Sequence, residues 1–202
     1  MRAIVAAILY NFRNLVRFSE RDIRAQFWPY AIFLFIFQMI VSLISMIPFM
    51  FNILVKTFQF AAQHAGRPGG PMGLGDQREF AQMMDGIFSD IQSMLMVLTP
   101  ILTVIFVVMI AAAVTRRLHD RNRRGFWGLM PLPFTAFGIA SMPIMLPGVW
   151  HHSLSIAWWA ALILQNLFYY ASLILLIVML AGRDSAEPNR FGPAVTDWRF
   201  QP

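Results

Sequence analysis

The residues best placed to do chemistry stand together at 115–127, TRRLHDRNRRGFW, where five arginines flank a His119–Asp120 pair between two apolar runs. Arginines at this density suit phosphate or carboxylate groups, because a guanidinium fork matches two oxygens at once. A His–Asp pair can orient a proton acceptor, but catalysis also needs a nucleophile or a metal, and the segment supplies neither. We therefore assign no catalytic residue. Arg116, Arg117, Arg123 and Arg124 are the expected contacts to anionic lipid headgroups, and His119 with Asp120 is expected to hold structure. The chain has no cysteine, which removes disulfides and thiolate ligands. His151 and His152 form the other histidine pair; adjacent side chains do not share a helix face, and their loop holds no third ligand. His64 and the acids Asp76, Glu79, Asp85 and Asp90 could in principle join them. The expectation is nonetheless no metal and no cofactor.

These residues must be positioned by membrane helices. The chain is 58% hydrophobic and only 13% charged, with mean hydropathy +0.59, a balance that a soluble domain of 202 residues has too much surface to carry. Residues 27–55, 94–114, 126–147 and 155–181 contain no Asp, Glu, Lys or Arg. Each block reaches the ~20 residues needed to cross ~30 Å of hydrocarbon as helix, and helices keep every backbone group paired there. The expected fold is an all-α integral membrane protein with four transmembrane helices, forming one membrane domain over 1–202.

The remaining segments follow from local pattern. Ile4, Ile8, Phe12 and Leu15 recur at helical spacing, with Arg13, Asn14, Arg17 and Arg21 largely off that stripe. An N-terminal amphipathic helix within 1–26 results, lying in the interface with its arginines among lipid phosphates or packed on the bundle. Phe27-Trp28-Pro29-Tyr30 opens the first span as an aromatic belt, and Pro48 should bend or end it. The outer loop, 56–93, holds a Gly/Pro hinge at 65–75, a capping box from Asp76 to Glu79, and an apolar stripe from Phe80 to Ile91 that suggests a short outer-surface helix. Residues 115–125 are the Arg-rich loop. The third span carries Pro131, Pro133, Pro143 and Pro147 and is expected to be kinked or broken, a feature often found at transporter sites. The spans hold amides such as Gln38, Gln165 and Asn166 but no ionisable group, which disfavours a proton-driven pump.

Three landmarks together resemble a bacterial inner-membrane family, the Domain of Unknown Function 805 or YhaH-like proteins. They are the aromatic-basic entry from Phe12 through Arg21, Arg24 and Phe27-Trp28, the run Arg116-Arg117-Leu118-His119-Asp120 followed by Gly125-Phe126-Trp127, and Asn189-Arg190-Phe191-Gly192-Pro193. The resemblance adds Asn189 and Gly192 to His119 and Asp120 as structural motif residues. It implies a fold and a membrane address, not a reaction. Against the family's usual pattern, Glu20, Asp22 and the Arg121-Asn122-Arg123-Arg124 run intrude.

Function is therefore expected to be non-enzymatic, with anionic phospholipids and a membrane protein or a second copy as partners, and no nucleic acid. A formal charge of +6 is accounted for by topology: thirteen Lys and Arg lie in 1–26, 115–125 and 182–202, against three in 56–93. A transporter built around the third span is the rival. The positive-inside rule puts both termini and 115–125 in the cytoplasm. Cysteine labelling at Gln63 and Gln201 should reach opposite faces of the membrane; labelling of both from one side would show that the third span does not cross.

Overall fold

The computed structural model describes residues 2–64 and 74–195. These residues form five α-helices: α1, Arg2–Arg13; α2, Arg24–His64; α3, Leu74–Asp120; α4, Leu132–Trp150; and α5, Ile156–Ala181, with a 3₁₀ helix at Gly125–Leu129 before α4. Four stretches are long and apolar enough to cross a membrane: Arg24–His64, Asp76–Asp120, Gly125–Trp150 and Ile156–Ala181. The protein is an all-helical, multi-pass membrane protein.

Helix ends are closed by local chemistry. At the start of α2 the Gln26 side chain reaches back to accept from the Ile23 N–H at 3.0 Å, half of a capping box. α3 ends in a Schellman turn: the Arg123 N–H donates to the Leu118 carbonyl and the Asn122 N–H to that of His119, with Asn122 at φ +53°. α4 ends the same way, with His152 at φ +52° and the Ser153 N–H on the Gly148 carbonyl. His152 is thus a helix-terminating residue. Ser155 caps α5 by accepting from the Trp158 N–H.

Several expectations need correction. α2 and α3 are 41 and 47 residues long, roughly 60 and 70 Å, about twice the hydrocarbon thickness. Much of the expected 56–93 loop is helix, and among the described residues the stripe from Phe80 to Ile91 is not a separate surface helix but runs straight into the apolar block because no breaker lies between them. Asp76 sits within the first turn of α3 rather than capping it from outside. Of the Gly/Pro hinge, 65–73 lies outside the described residues. The helix also continues past Pro48. The third span is interrupted only near its start, where the 3₁₀ helix and a turn at Met130–Pro131 precede α4; from Leu132 the helix is continuous through Pro143 and Pro147. One proline removes one backbone hydrogen bond, which a membrane helix can absorb through neighbouring groups.

The chain divides into two compact units, Met1–Phe37 with Pro100–Pro202, and Gln38–Thr99. In the first, Phe27, Tyr30 and Leu34 of α2 pack with Ala113, Val114 and Leu118 of α3 and Leu176, Met179 and Leu180 of α5. Ala112 and Ala113 let the helices approach closely, and the Tyr30 hydroxyl donates to the Met109 carbonyl at 2.8 Å. α1 packs on this core through Ile8 and Phe12, with Phe12 edge-on to Tyr30, while Ile4, Val5 and Leu9 remain about half exposed. α4 and α5 are joined by the Gln165 amide donating to the Phe134 carbonyl at 3.0 Å and by Phe134 stacked on Phe168. In the second unit Lys56 and Asn52 both meet Asp90, at 2.6 and 3.1 Å, and His64 stacks on Phe60 within 3.4 Å of Asp76 and Glu79.

The two mid-span amides of α5 should separate on mutation. Gln165→Leu, which removes the bond to α4, should cost about 0.6 kcal/mol and at most ~1.7 in a reversible detergent unfolding titration. Asn166, exposed and bonded within its own helix to the Leu162 carbonyl, should tolerate Asn166→Leu with no measurable loss.

Candidate functional site

The last turn of α3 carries Arg116, Arg117, Leu118 and Asp120, all fully buried. Arg116 faces the N-terminal segment. Its Nε donates to Asp22 Oδ2 at 2.8 Å, its Nη1 to the carbonyls of Asn14 and Arg17 at 2.7 and 2.8 Å, and its Nη2 to Asn11 Oδ1. Ala7, Asn11 and Asn14 are the buried face of α1 and the turn after it, so this contact docks α1. The Asp22 N–H in turn donates to the Arg116 carbonyl at 3.2 Å, tying the entry of α2 to the end of α3.

Arg117 faces the other way. Nη1 lies 2.8 Å from Asp120 Oδ2 and 2.6 Å from Asp184 Oδ1, Nε donates to the Leu180 carbonyl at 2.9 Å, and Nη2 donates to the Gly182 carbonyl. The guanidinium therefore satisfies the orphan carbonyls at the end of α5. Arg21, only 4% exposed, completes the set. It donates through Nη2 to Asp120 Oδ1 at 2.9 Å and to the Ser185 carbonyl at 3.1 Å, and through Nη1 to the Gly192 and Pro193 carbonyls at 3.0 Å each. Three enclosed arginines (21, 116, 117) thus face three aspartates (22, 120, 184), and the exposed Arg24 meets Asp184 from outside at 3.5 Å.

The tail is held on the same surface. Asn189 Nδ2 donates to the His119 carbonyl at 3.0 Å, and its Oδ1 accepts from the Phe191 N–H at 2.9 Å. Asn189 and Gly192 exchange both backbone hydrogen bonds, and Gly192 sits at φ +137°, where a side chain would be strained. This turn lays the Phe191 ring flat on His119, centroids 3.9 Å apart. The Arg121 guanidinium lies close over the Gly182 backbone.

Sequence reasoning about the arginines needs correction here. Arg116 and Arg117 do not face lipid; each guanidinium is enclosed and spent on protein oxygens. Arg21, expected among lipid phosphates, is enclosed likewise. Asp120 is fully buried. Arg123 and Arg124 are exposed. The structure brings His119, Asp120, Asn189 and Gly192 together. Asn11, Asp22 and Asp184 were missed; the one local signal was Ala7, Asn11 and Asn14 recurring at helical spacing opposite the exposed stripe. No group of three or more His, Asp or Glu that could hold a metal occurs among the described residues.

The model of one family, described as "Protein of unknown function (DUF805)", matches residues 15–193. The chain belongs to the DUF805 family. No curated protein and no solved structure matches it. The matched region of this DUF805 protein starts within the turn that meets Arg116, just after Asn14, and ends at Pro193, whose carbonyl accepts from Arg21, so it encloses the three arginines and three aspartates of the network.

Removing one partner of a buried pair strands the other charge, at ~3–5 kcal/mol. Asp120→Asn should lose that much in an unfolding titration, because Asp120 faces both Arg21 and Arg117. The network also has a pH signature. Burial, opposed by Arg116, pushes the Asp22 carboxyl up to about 6. Its folded pKa lies above the unfolded value of ~3.9, so its contribution is whole below that value and is lost as pH rises through about 6. Comparing melting temperatures across that window, Asp22→Asn should lack this slope; an unchanged slope would show that Asp22 is not enclosed.

Proposed function

We propose that this DUF805 protein is a non-enzymatic protein of a bacterial inner membrane, acting through protein and lipid contacts as a structural or accessory subunit of a larger assembly. The observation that carries the reading is where its charges point. In the dense arginine–aspartate cluster each enclosed arginine is paired with an aspartate, so these ionisable groups are engaged in holding helix ends together. Outward, the helices present apolar side chains: Phe35, Leu43, Ile47 and Phe51 on α2, Val104 and Val108 on α3, and Ile163, Leu167, Ile174 and Val178 on α5 are each about 60% exposed or more. Such a surface needs hydrocarbon or another membrane helix against it. On this reading the network lies at the cytoplasmic face, where the arginine excess belongs.

The transporter alternative drew on a break near mid-membrane, whereas the interruption lies at the start of the third span and α4 is continuous from Leu132 to Trp150. Photo-crosslinking in native membranes separates the two readings. Reactive groups introduced at Phe35, Val108 and Ile174 should yield one discrete adduct of fixed size, with a second copy or one membrane protein. Adducts to lipid alone, together with solute flux in proteoliposomes of the purified chain, would contradict the accessory role.

A further inference from the structure

Just beyond the paired network the carboxylates run out. The turn after α3 and the tail line an open cleft of about 420 Å³ with Arg121, Arg123, Arg124 and Arg190, together with Asn122 and Trp127. Four guanidinium groups share this lining and no carboxylate does. In the buried network, by contrast, every arginine faces an aspartate. We propose that this cleft binds an anion bearing two phosphate groups.

Two of the four arginines are held in place before any ligand arrives. Arg121 donates through Nη1 to the Arg183 carbonyl. Arg190 donates through Nη2 to the Asn122 carbonyl at 3.0 Å, and its guanidinium lies 4.7 Å from the Phe191 ring centroid. Arg121 Nε is shielded from solvent and has no hydrogen-bond partner among the described residues. Arg123 and Arg124 are exposed and make no ion pair among the described residues. Like charges gathered this way repel one another unless an anion sits between them. A single phosphodiester carries one charge and satisfies one or two forks, whereas four forks match two phosphates.

Such an anion could be a lipid headgroup or a soluble diphosphate. Depth favours the lipid. Trp127 lines the cleft, Phe126 beside it is 73% exposed, and both open the stretch Gly125–Trp150 that is apolar enough to cross the membrane. An interfacial aromatic pair places the guanidinium groups at headgroup level. The site deepens the lipid-contact part of the proposed function and rests on it, but needs no protein partner.

The test is native mass spectrometry of the full chain in mild detergent, titrated separately with diphosphatidylglycerol, phosphatidylglycerol and inorganic pyrophosphate. The wild type should prefer diphosphatidylglycerol to phosphatidylglycerol. R123Q/R124Q should weaken that binding by roughly thirtyfold without lowering the melting temperature, since neither side chain belongs to the network. R2Q/R13Q, which removes the same charge from exposed positions on α1, should keep the preference. Pyrophosphate binding that R123Q/R124Q abolishes, without a lipid preference, would support the site and assign it to a soluble ligand. Equal weakening by both double variants, or binding of neither bis-phosphate compound, would overturn the proposal. Neither result would alter the crosslinking outcome on which the partner reading depends.

Discussion

Enclosing a guanidinium group takes it out of water at a cost of several kcal/mol, which only a matched carboxylate and a full set of acceptors can offset. Arg116 and Arg117, adjacent in sequence and both fully buried, impose that condition twice. Adjacent residues on a helix point in directions about 100° apart, so the two side chains reach largely different partners, although both meet Asp22. Arg116 draws in α1 and the turn before α2; Arg117 draws in the end of α5 and the segment after it. Arg21 joins the two halves by holding Asp120 and the tail together. The positions of these chain segments on one end of the unit follow from satisfying three charges.

That constraint has a topological consequence. The start of α2, the end of α3 and the end of α5 meet in one network, so the chain returns to the same end after α2 and α3 and again after α4 and α5. This convergence agrees with the arginine excess of the same three segments, which comes from counting charges and not from geometry. A buried network of this kind stabilises less than its many bonds suggest, because desolvation cancels much of the gain. Its clearer effect is specificity: any other docking of the tail or of α1 would leave a charge without a partner.

The spans were legible because lipid imposes a composition: four blocks free of charge map onto four helices. Their true lengths were not, since a stripe such as Phe80 to Ile91 reads the same on a surface helix as on the start of a longer one. Pro48, Pro143 and Pro147 end no helix, since lipid-embedded helices run on through them. Within the site, the arginine run and the tail motif could be picked out, but not which arginines were enclosed. Arg116 and Arg124 have the same chemistry and stand eight positions apart. What separates them is Asp22, 94 residues away from Arg116, and no local period carries that pairing. Asp22 looked like an intrusion in the first landmark and is instead the carboxylate that makes Arg116 tolerable.

Hydrogen–deuterium exchange of the full chain in detergent or nanodiscs tests the network most directly, by comparing the wild type with Arg21→Met. Amides of Asp22, Asn189, Phe191 and Gly192 are hydrogen-bonded within or beside the network, so the wild type should protect 185–193 far beyond a free peptide. Loss of Arg21 should expose 185–193 while the core of α3 stays protected. A tail that exchanges like free peptide in the wild type, or that stays protected without Arg21, would contradict the network as the element holding these chain ends.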